Sequence, residues 1–190
     1  MLRPVALLPI AALTLAACAE SVPTRIGADG KPVPVIYRIG PGDLGRIQFR
    51  MLDSVNALRA RAGSPPLQLN AQLNAAAATQ SRDMSFQGRP WHFGSDGSSP
   101  VTRARRAGYQ GRLMGELISE TFETELETLA AWMAEPETRS VLMDPAARDM
   151  GFAFHQDPNG KLWWTLTTGN PFESGFTPTY DRVPPPRGES

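Results

Sequence analysis

WHFGSDGSSP, residues Trp91 to Pro100, is the stretch around which the rest of the chain is organised. It follows Gly88-Arg89-Pro90, where the residue before proline is pushed out of helical angles. It runs into a helix start, because Ser99 has N-cap chemistry and Pro100 suits the first helical position. Between these punctuation marks lie one of the chain's 2 histidines, an aspartate and several small residues. That composition predicts a loop carrying His92 to the rim of a polar cavity.

Upstream of the loop, Ile47, Met51, Val55, Leu58 and Ala62 recur at helical spacing, with Arg46, Arg50, Asp53 and Arg59 outside the stripe. Gly63 and Pro65-Pro66 end this helix. Leu67 and Leu69 then alternate around Gln68, and Asn70 stands as N-cap of a second helix with Leu73, Ala76, Ala77 and Met84 on one face. Its alanine run, Ala75 to Ala78, predicts close approach to a neighbouring element.

Downstream, VTRARRA forms a short helix ended by Gly108, its arginines read as a solvated face. LMGELIS, residues 113–119, reads as an extended segment carrying Glu116. Thr124 and Glu127 have capping-box spacing ahead of Leu129, Trp132 and Met133, and Pro136 interrupts that helix. MGFAFHQDPNGKLWWTLTTG alternates on both sides of a DPNG turn and predicts a β-hairpin. Trp91, Trp163 and Trp164 are expected to fill the core or shield the cavity rim.

The chain has 190 residues, enough for one domain with tails. Its 19 Lys and Arg balance 19 Asp and Glu, and the signs are interspersed, so no field exists to hold a nucleic-acid backbone. Arg3 precedes the apolar run Val5 to Leu15, the outline of a secretory signal and too short to span a bilayer. The run ends in Leu15-Ala16-Ala17-Cys18, which resembles the bacterial lipobox. The resemblance implies removal of residues 1–17 and a lipid on Cys18, the single cysteine, which has no disulfide partner. Ala19 rather than Asp follows it, which by the usual sorting rule directs the protein to the outer membrane, facing the periplasm or the cell surface. Residues 18–43, rich in Pro and Gly, read as a flexible tether in which VPVIYRI could add an edge strand. The domain is then expected over 44–170, followed by a Pro- and Gly-rich tail over 171–190, disordered at its end.

Five pieces in order, SPPLQLNAQLNAAA, WHFGSDGSSP, RARRAGY before GE, AAWM, and a hairpin ending in Trp164-Thr165, resemble the CAP superfamily of cysteine-rich secretory and SCP-like domains. The resemblance covers about residues 44 to 170. It implies an α+β fold, an α/β/α sandwich with a small antiparallel sheet between helices. It also implies a cavity lined by two histidines and two acids, which in some members binds a divalent metal. His92 matches the first histidine and Glu116 the acid of the GEN motif, which here reads GEL because Leu117 replaces Asn. Glu135 matches the second acid, and Thr138 stands where the second histidine would be. With Asp96 of the loop, these residues make up the expected cavity.

His92 and Glu116 admit three readings: ligand-binding pair, catalytic pair, or a polar bridge tying loop to strand. As metal ligands they form an incomplete set, since a zinc site wants about four donors. His155 sits beside DPNG, as a turn neighbour. Ser95, Ser98 and Ser99 meet the needs of a turn and an N-cap, and no G-x-S-x-G elbow appears. The leading expectation is an envelope-anchored module whose cavity binds a lipid, a peptide or a cell-wall fragment. The alternatives are a metal-assisted hydrolase using His92 and Glu116, and a structural or interaction module of the envelope.

Overall fold

The computed structural model describes residues 25–26, 32–33, 37–121 and 123–172. The signal segment, Cys18 and the tail beyond residue 172 lie outside the described residues. The chain divides into two units, residues 1–35 and residues 36–190. In the first, β1 (Arg25–Ile26) and β2 (Pro32–Val33) pair antiparallel. No helix among the described residues is long and apolar enough to cross a membrane.

The second unit begins with α1 (Leu44–Arg61). Its buried face runs through Ile47, Met51, Val55 and Arg59, each four residues after the last. Leu58 packs against the core as expected, but Arg59, expected outside the stripe, lies within it, and Ala62, expected within it, is exposed. Strict four-residue spacing carries Arg59 inward, and it is 0% exposed. Its guanidinium is satisfied by the carbonyls of Pro65 (2.8 Å), Leu142 (2.6 Å) and Ala147 (3.2 Å). Burial lowers its pKa.

The ordered part also starts earlier than residue 44. The Tyr37 hydroxyl donates to Glu125, the Arg38 guanidinium donates to the Pro158 carbonyl, and the Ile39 N–H donates to the Gln156 side chain. Residues 37–40 are therefore docked on the domain rather than part of a free tether, because Tyr37 and Ile39 have apolar area to bury against the core.

Leu67 leads into β3 (Gln68–Leu69), and α2 (Ala71–Gln87) follows, with the Asn70 side chain capping the N–H groups of Gln72 and Leu73. At its other end Gly88 takes φ 68°, the left-handed conformation that closes many helices. The short α3 (Pro100–Arg106), the long strand β4 (Arg112–Thr121), α4 (Glu125–Ala134) and α5 (Pro136–Met143) come next. The hairpin of β5 (Asp149–Gln156) and β6 (Leu162–Asn170) closes the unit around the DPNG turn. The Ser99 cap, the Thr124–Glu127 capping box and the break at Pro136 all form where the sequence puts them.

The sheet has the order β3-β5-β6-β4. Three strands pair antiparallel, as expected, but β3 runs parallel to β5, so the sheet is mixed. Period-two alternation divides its faces. Phe152, Trp164, Leu166 and Leu117 face a core with Ile47, Met51, Leu129, Trp132 and Leu142, and the Phe152 and Trp164 rings stack at 5.4 Å. Gly151, Ala153 and Thr165 face α2. A Cβ on Gly151 would stand 2.2 Å from the Leu73 carbonyl carbon, so small residues on both sides let helix and sheet close together. The result is the expected helix–sheet–helix sandwich.

Candidate functional site

Glu116 owes its position to a bulge. The β4–β6 register shifts between Leu113 and Gly115, which re-aims the side chains that follow. Gly115 lies against the Val141 side chain, where a Cβ would approach to 2.6 Å, so any larger residue there would have to displace Val141. The next residue, Glu116, points to the opposite face and is 5% exposed. Leu117 returns to the apolar core at 4% exposure. The residue in place of the family Asn is thus a core side chain facing away from Glu116, so it removes no polar partner from the site.

A carboxylate this buried needs a counter-charge. Arg103 supplies it. Its Nη2 donates to both carboxylate oxygens, at 3.0 Å and 2.8 Å, and also to the His92 carbonyl at 2.9 Å. Its Nη1 donates to the Ser98 carbonyl at 2.8 Å. Reading every arginine of VTRARRA as solvated is therefore wrong for Arg103, which is 4% exposed. The missed signal was positional: Arg103 lies three residues after Pro100 and next to Ala104, on the buried face of α3. The Arg103 Nε is buried without a hydrogen-bond partner.

His92 completes the group. Its Nδ1 stands 3.0 Å from Glu116 Oε1, and its side chain is 33% exposed, reachable from solvent where Glu116 is not. Gln80, fully buried on α2, donates to the Trp91 carbonyl, and Gln87 donates to the Phe93 carbonyl at 2.9 Å, so α2 grips the loop from below. Asp83 accepts from the Ser95 N–H and hydroxyl, both at 2.6 Å. Trp91 is 41% exposed and packs against Phe93, which fits the rim reading, whereas Trp163 and Trp164 are buried. Ser99 serves as N-cap, and His155 lies 3.6 Å from Asp157 at the hairpin end.

Beside this loop a groove of about 640 Å³ opens between α2 and α3. Asp96 and Arg103 line it, but His92, Glu116, Glu135 and Thr138 do not. The five residues expected to share one cavity are therefore divided. The Ser98 hydroxyl and N–H, with the Arg106 guanidinium, hold the Asp96 carboxyl well below the usual range. Glu135 is exposed at the joint between α4 and α5, and the Thr138 hydroxyl donates to the Trp132 and Glu135 carbonyls, closing that joint. Phe86 and Arg82 stand on the α2 wall of the groove, both exposed.

The divalent metal implied by the resemblance does not fit these donors. Both Glu116 oxygens already accept from a cation, and among the described residues no group of three His, Cys, Asp or Glu side chains is disposed to hold a metal.

Comparison with known proteins agrees with this fold. YkwD of Bacillus subtilis (strain 168), described as uncharacterized, is 24% identical over 123 residues, which cover 65% of this chain and 47% of that protein. The chain thus spans about half of that relative's length. An extracellular SCP-domain protein of Bacillus anthracis superposes with a TM-score of 0.61 at 19% identity, over 67% of this chain and 41% of that one. An outer surface protein of Borrelia burgdorferi gives a TM-score of 0.61 at 14% identity, over 66% of this chain and 92% of that one. Residues 52–167, more than half of the 190, match the model of the cysteine-rich secretory protein family, and the chain belongs to that family, CAP.

Proposed function

We propose that this protein is an envelope-anchored module that binds a small ligand in the groove between α2 and α3, without catalysing its conversion. The observation that carries the reading is the engagement of Glu116. Both of its oxygens accept from Arg103 in a buried setting, so it is not available as a general base toward water. His92 and Glu116 then act as a polar bridge that fixes the loop forming one wall of the groove. A metal-assisted hydrolase would require Glu116 to leave Arg103 during the reaction. The groove's walls combine apolar surface from Ala75, Phe86 and Ala107 with polar side chains that include Thr79, Arg82 and Ser95, which fits a ligand with both apolar and polar parts, whether a lipid, a peptide or a cell-wall fragment. The lipobox-like Cys18 and the bacterial surface and extracellular proteins that share the fold support an envelope location.

The test uses the Cys18→Ser protein, titrated calorimetrically with short peptides, peptidoglycan fragments and dispersed phospholipid. Thr79→Trp, which fills the groove from an exposed position, should abolish binding of whichever class binds and leave the melting temperature unchanged. His92→Ala should leave any screened hydrolysis at background. Binding undiminished by Thr79→Trp, or binding by none of the three classes, would sink the ligand reading. In cells, Cys18→Ser should move the protein from the membrane to the soluble fraction; unchanged membrane association would refute the lipid anchor.

A further inference from the structure

We infer that Arg103 is the resident cation of this site: its guanidinium neutralises the carboxylate that a divalent metal would otherwise take, and it masks a latent metal-binding pair, His92 with Glu116. Three observations lead there. First, Glu116 is 5% exposed and Arg103 4%, so each is the other's principal charge compensation. Second, Arg103 bridges both carboxylate oxygens, leaving neither clear of the guanidinium. A dication bound to either oxygen would stand beside a fixed positive charge, and in such buried surroundings that repulsion far exceeds thermal energy. Third, Arg103 is itself held. The Ser99 cap and Pro100 start its helix, and the Ser98 and His92 carbonyls accept from its two terminal nitrogens, so it does not swing away at small cost.

The donors behind this lock suit zinc. An imidazole nitrogen and a carboxylate oxygen stand 3.0 Å apart, and the imidazole is open to solvent on one side. Water would supply the remaining ligands. Arg103, rather than the histidine replaced by Thr138, therefore decides whether this pair binds metal. The inference rests on the same Arg103–Glu116 pairing as the reading above, but its readout is zinc on His92 and Glu116 rather than a ligand in the groove, so the two fail separately.

The experiment titrates zinc alone into the Cys18→Ser protein against a chromophoric chelator, with thermal midpoints recorded in parallel. The protein with Arg103 intact should show no zinc site sensitive to His92→Ala. Arg103→Gln should gain one site, at least tenfold tighter, that raises its midpoint and disappears when His92→Ala is added. Arg103→Lys, which keeps the charge, should gain none. A stoichiometric zinc in the protein with Arg103 intact that is lost on His92→Ala would overturn the inference, as would a folded Arg103→Gln protein without added affinity. If Arg103→Gln does not fold without metal, recovery of its far-UV dichroism in zinc but not magnesium supports the inference. No recovery, either for that protein or for Arg103→Met, overturns it.

Discussion

Replacing both members of the Arg103–Glu116 pair by apolar residues should cost far less than the sum of the two single replacements. Both side chains are 3% exposed, so the surviving charge in either single variant has no water to turn to. Removing one member of such a pair costs about 3–5 kcal/mol, mostly through the uncompensated partner. Arg103→Met and Glu116→Leu should each fall in that range, and since about 1 kcal/mol moves the midpoint of a domain of this size by roughly 2–4 °C, each midpoint should drop by roughly 10 °C. The double variant removes both charges but leaves the Ser98 and His92 carbonyls without their donor, a cost of roughly 1–3 kcal/mol for each buried acceptor. It should therefore be no less stable than Arg103→Met, which leaves the same two carbonyls unpaired and a buried carboxylate besides, with a coupling energy of at least about 2 kcal/mol. Urea unfolding followed by circular dichroism measures all four proteins, and unchanged slopes keep the comparison valid. Additive single effects, or single effects below about 1 kcal/mol, would refute the view that this ion pair is the structural core of the site.

Two further outcomes follow from the frame around it. Gly151→Ala would place a methyl 2.2 Å from the Leu73 carbonyl carbon, a backbone contact that cannot swing aside, so a loss at or above the roughly 1–3 kcal/mol usual for overpacking is expected in thermal melts. A midpoint within a few degrees of wild type would show that α2 is not pressed on the sheet. At Asp157, burial pushes the carboxyl pKa up, but hydrogen bonds from Ser85 and Trp163 outweigh it and leave the pKa depressed. A depressed carboxylate adds stability above its unfolded pKa of about 3.9 and loses it as pH falls through the lower folded value. Stability should therefore hold from neutrality to about pH 4.5 and decline below it, and Asp157→Asn should flatten that decline in urea titrations; an unchanged acid limb would count against the assignment.

Local chemistry carried much of the fold in the sequence. Asn70, Ser99 and Thr124 cap the helices they were expected to cap, and Pro136 breaks the helix it was expected to break, because capping and proline geometry involve only neighbours along the chain. The hairpin around DPNG is equally local. The parallel pairing of β3, a two-residue strand, was not legible, since its partner lies some eighty residues away.

For the site, the sequence by itself brought His92 and Glu116 together, through motif order, and the structure places them 3.0 Å apart. Only the tertiary structure decided what the pair is. Arg103 looked like one of several helix-surface cations, and its burial depends on how α3 lies against β4 and on the bulge that aims Glu116 toward it. Leu117 likewise became a core residue because a strand alternates faces, and Glu135 and Thr138 stayed at a helix joint. A carboxylate's chemistry depends on what shares its desolvated volume. That is fixed by packing between elements far apart in the chain, so the sequence could name the residues but not their charge partner.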